Sequence, residues 1–72
     1  MDAQTEETLA AAGEKIDKLH DMTLKGLDET AEARTMRKAL HADWMTLDEE
    51  GKAGFVKVQG DLIRKYMERG EI

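Results

Sequence analysis

His20 and His41 are the two histidines of the 72-residue chain, and Asp17, Asp21 and Asp43 lie near them in sequence. Imidazole with carboxylate is a metal-binding donor set. In helical bundles it is assembled from Glu-x-x-His units on facing helices. Asp17-Lys18-Leu19-His20 has the i,i+3 spacing, but in one copy and with the shorter acid. That supplies fewer ligands than a site needs, so solvated helix residues are the expected reading and no metal is expected.

Nucleophiles are scarce. Serine and cysteine are both absent, and Thr5, Thr23, Thr30, Thr35 and Thr46 have no evident base beside them. The carboxylate pairs Glu6-Glu7 and Asp28-Glu29 stand where the positive end of a helix attracts acids. The run Gly51-Lys52-Ala53-Gly54-Phe55 lacks the preceding strand and the spacing of a phosphate-cradling loop. Neither catalysis nor a cofactor is expected.

Arg34, Arg37, Lys38 and His41 form the one net-positive stretch and share a helical face. In a nucleic-acid reader such a face contacts phosphates. Against this stand the formal net charge of -5 and the lack of a second basic patch. The competing reading is a solvated face, or one that complements the acidic excess of residues 1–32. An acidic decoy imitating nucleic-acid phosphates is a further alternative. It would need its acids on one accessible face, whereas after residue 32 they alternate with lysine and arginine.

These side chains need elements to hold them. Seventy-two residues make one domain, and a chain so short buries only about 60% of the surface its unfolded form exposes. Without cysteine there is no disulfide to help. Tight helix packing or oligomerisation is left. The acidic N-terminus does not resemble a signal peptide, and no apolar run approaches the roughly 18 residues of a membrane span. A soluble, cytoplasmic protein with no membrane partner is expected.

Apolar residues recur at helical spacing. Leu9, Ala12, Ile16, Leu19, Thr23 and Leu27 form one stripe, and Ala33, Met36, Leu40, Trp44 and Leu47 a second. The two are out of phase by about a third of a turn, which a break between residues 24 and 32 repairs. Gly26 suits the left-handed close of the first helix, and Asp28 or Thr30 the cap of the next. Thr46-Leu47-Asp48-Glu49 reads as a capping box opening a third helix, which Arg69-Gly70 closes.

Phe55-Val56-Lys57-Val58 alternates like a strand, but Phe55 and Val58 continue a helical row from Leu47 and Gly51 to Leu62 and Tyr66. No other segment offers a strand partner. The expectation is all-α: a small three-helix bundle, or a helical hairpin plus a third helix completed by oligomerisation. The helices span about residues 4–25, 29–44 and 47–69. A rival is one long helix from about 29 to 69, because the second stripe runs on in phase and no proline forbids it.

Val56, Ile63 and Met67 form a second stripe on the third helix, nearly opposite Phe55, Val58 and Leu62. A helix apolar on two faces is buried or is an interface. The functional expectation is a non-enzymatic protein-interaction module: a small regulator, adaptor or assembly component. Phe55, Val56, Ile63, Tyr66 and Met67 would dock a protein partner or a second copy, and Trp44 would anchor the junction of helices two and three. The alternative is a nucleic-acid-binding regulator using Arg34, Arg37 and Lys38.

Overall fold

The computed structural model describes residues 2–72. Three helices account for almost all of them: α1 (Ala3–Leu24), α2 (Ala31–Thr46) and α3 (Glu49–Glu68). Among the described residues there is no strand, and the glycine-punctuated run 51–60 is helical throughout. The chain is a small all-α three-helix bundle.

Each helix begins on an oxygen ligand for its free N–H groups. Asp2 accepts from the Thr5 amide at 2.8 Å and Thr30 from the Ala33 amide at 3.3 Å. Asp48 accepts from the Gly51 amide at 2.8 Å. The last of these corrects the expected capping box. Thr46 still belongs to α2, where its hydroxyl donates to the Asp43 carbonyl at 2.8 Å. Between the helices Leu47 is extended, with φ -85° and ψ 145°. The single long helix is therefore excluded. The observed breaks also lie about two residues later than expected, at Thr46 and Glu49 instead of 44 and 47.

Two helices close in the same way. Gly26 and Gly70 have φ of 74° and 72°, a conformation that costs other residues about 1–2 kcal/mol. The Leu27 amide returns to the Met22 carbonyl at 2.8 Å, and the Glu71 amide to the Tyr66 carbonyl at 2.9 Å. These are Schellman closures, and each folds the following residue back beside its own helix.

Cross-helix contacts give the topology. Lys15 pairs with Asp43 and Lys18 with Glu32, so α1 and α2 run antiparallel. Gly13 meets Val58, and His20 meets Tyr66 and Glu71, so α1 and α3 run parallel. Helix α1 packs against both others, whereas α2 and α3 splay apart from their shared corner at residues 47 and 48. The Cα extents are 35 × 29 × 15 Å. The long axis matches the roughly 33 Å of a 22-residue helix. The 29 Å width is about twice what a triangular cluster at 8–10 Å spacing would give, so the bundle is flattened with α1 in the middle.

The core is thin. Among the described residues Leu9, Ala12, Met22, Ala33, Leu47 and Tyr66 are buried, and none of the large side chains is completely enclosed. Ala12 on α1 and Ala33 on α2 are the most deeply buried of these, and Gly13 admits α3 closely: a Cβ there would stand 3.3 Å from Val58 Cγ1. Among the described residues no buried side-chain polar atom lacks a partner.

Candidate functional site

The outer face of α3 carries Val56, Ile63 and Met67, which are 56%, 41% and 60% exposed. With Gly60 they form a row spaced four, three and four residues apart, a single stripe along the helix. Gly60 is exposed, and nothing lies within 4 Å of the place its Cβ would occupy. The row therefore has an open notch at its centre. Lys57 and Arg64 border it. Lys57 holds Asp61 at 3.0 Å along the same helix.

The other three residues expected on this surface lie elsewhere. Tyr66 is only 2% exposed and belongs to the α1–α3 contact; it is corrected from a docking anchor to a core residue. Phe55 is half-buried and meets Trp44 edge-on, with ring centres 5.2 Å apart at 75°. Trp44 also carries the Lys52 ammonium 5.5 Å above its ring. This aromatic pair fills the α2–α3 corner that Leu47 closes.

Where α1 and α3 end, a polar clasp has formed. The Tyr66 hydroxyl donates to Asp17 Oδ1 at 2.8 Å, and its ring stacks on His20 at 3.6 Å and 9°. His20 Nε2 is 2.9 Å from Glu71 Oε1, which Arg69 Nη2 also reaches at 3.2 Å. The Schellman turn at Gly70 brings Glu71 back to this position. Burial, followed by the hydrogen bond to Asp17, pushes the Tyr66 phenol up to about 12: its ionised form would lie out of water beside a carboxylate. The clasp borders an open polar cavity of 380 Å³ lined by Glu14, Lys18, Asp21 and Leu24 as well. Its groups are already engaged with one another, an arrangement that fastens the C-terminal end of α3 to α1.

The chain matches no known protein family, no curated protein and no solved structure. Its function has to be read from these surfaces.

Arg34, Arg37, Lys38 and His41 are all exposed on α2. The reading in which this basic face complements the acidic excess of residues 1–32 is overturned, because the pairing has the opposite sign. The acids of α2, Glu32 and Asp43, turn toward Lys18 and Lys15 of α1, which leaves the arginines and Lys38 facing outward.

The i,i+3 pair Asp17 and His20 does converge, but on Tyr66. Among the described residues no three of His, Cys, Asp and Glu gather as metal ligands do. Sequence reasoning missed Glu71 and Arg69 as members of the clasp. Their signal was Gly70, which marked a helix end and also implied that the next residue turns back.

Proposed function

We propose that the chain is a non-enzymatic interaction module that docks a protein through the outer row of α3. The observation that carries this reading is the continuous exposed row of Val56, Ile63 and Met67 beside a core that encloses none of the large side chains among the described residues. Burying a large aliphatic side chain is worth about 1.5–3 kcal/mol. Docking of this row therefore supplies stabilisation that so thin a core lacks. The reading narrows the surface to Val56, Ile63 and Met67, with Trp44 and Phe55 supporting it from the corner behind.

Ile63→Asp tests it. At 41% exposure the side chain contributes little to the lone fold. The variant is expected to keep its helical circular dichroism while falling from an assembled size to that of a single chain. A folded variant that keeps the assembled size of the wild type would contradict docking through this row.

A second reading rests on α2. Among the described residues Arg34, Arg37 and Lys38 hold no ion pair, while most other cations do. This ridge suits phosphate contacts of a nucleic acid. A mobility shift that weakens with salt and is lost on changing the three to glutamate supports it; no shift at low salt removes it.

A further inference from the structure

Resting on the docking reading, we infer that the occupant of the α3 row is the α3 row of a second copy, laid antiparallel about a two-fold axis between Gly60 and Ile63. Three features of the surface carry this.

The first is area. A monomer of 8.1 kDa that folds compactly exposes about 4,500 Å², whereas this chain exposes 5087 Å². The surplus of about 600 Å² approaches the roughly 800 Å² that each partner buries in a stable protein pair. The radius of gyration agrees: 12.6 Å against about 11 Å for a compact domain of this length.

The second is shape. At 100° per residue, Val56, Gly60, Ile63 and Met67 fall within about 60° of arc. Their 4-3-4 spacing is that of an a/d seam. Reversed on itself, the row sets Val56 opposite Met67 of the second copy, and Gly60 opposite its Ile63. The notch at Gly60 then receives an isoleucine, twice, by symmetry. Among the described residues nothing fills that notch, although a mid-helix glycine weakens α3. In a parallel pairing the two notches would face each other and leave a gap.

The third is charge. One edge of the row reads Lys57, Asp61, Arg64, Glu68, alternating in sign. In the antiparallel arrangement Arg64 comes within reach of Asp61 of the second copy, and Lys57 within reach of its Glu68. A parallel two-fold pair turns this edge toward the opposite edge of the second helix, around Gln59, where no such alternation meets it. The interface is isologous and closes at two copies.

The chain contains no cysteine, so introduced ones report cleanly. Val56→Cys and Met67→Cys would be oxidised separately and as a mixture, beside light scattering of the wild type over a hundredfold dilution. Expected are a two-copy mass that falls on dilution, and a disulfide-linked pair that forms in the mixture. Gly60→Leu is expected to be folded and monomeric, since it fills the notch. Linkage of each variant only to itself would overturn the antiparallel register, and so would a Gly60→Leu variant that still pairs. A wild type that is monomeric throughout overturns self-pairing. In that event an apolar dye bound by wild type but not by Ile63→Asp would leave the docking reading standing for a different partner. No dye binding would remove both.

Discussion

Tyr66 is the residue on which α1 and α3 agree, and it titrates where it can be watched. It is the single tyrosine, so phenolate absorbance reports it alone. Unfolded it ionises near 10, and in the fold near 12. The fold thus favours the neutral phenol. Its contribution is complete below pH 10 and is lost as the pH rises through 12. A shift of that size corresponds to about 3 kcal/mol. An absorbance midpoint near 10 with the helices intact would contradict this. Tyr66→Phe is expected to cost about 1 kcal/mol through the lost bond to Asp17 and to flatten that alkaline dependence in denaturant titrations. The sequence made Asp17 and His20 visible as a pair because one helical turn fixes their spacing. Their partners lie in a different helix, beyond the reach of local periodicity, so the pair read as a partial metal motif.

At the scale of elements, stripe period located all three helices, and their ends were harder to read. Thr46 and Asp48 both fit a cap. The choice fell to packing: Leu47 is buried in extended form against Gly51, where an added Cβ would stand 2.9 Å from Leu47 Cδ2 and 3.1 Å from its Cβ. Starting α3 at Leu47 would place that leucine inside the first turn instead. Asp48→Ala is expected to lower unfolding free energy by about 1 kcal/mol. Thr46→Ala should stay within about 0.5 kcal/mol. Denaturant midpoints of the two variants decide between the caps; the reverse order would restore the capping box. Gly26→Ala forces an L residue into the left-handed turn and is expected to cost about 1–2 kcal/mol, read as a lower thermal midpoint. The two faces of α3 were both legible. Tyr66 belongs to the row of Phe55, Val58 and Leu62, and periodicity marks that row without saying that α1 covers its Tyr66 end.

For the whole molecule, composition gave the class and missed the arrangement. A short, cysteine-free chain with helical stripes had few other ways to fold. The central place of α1 involves the buried small residues Ala12 and Ala33 and the close approach of Val58 to Gly13, and small residues leave a weak hydropathy signal. The outward turn of the α2 cations was likewise hidden, since it depends on which lysines of α1 reach Glu32 and Asp43. The flattened bundle that results keeps one edge of α3 uncovered. Met67 on that edge and Met45 on α2 are almost equally exposed in the lone chain, at 60% and 63%, which makes Met45 an internal reference. The decisive measurement is their relative rate of oxidation by peroxide, followed by mass spectrometry at working concentration. Self-pairing through the α3 row predicts that Met67 is oxidised several-fold more slowly than Met45, with the difference vanishing on dilution. Equal rates at every concentration would contradict it.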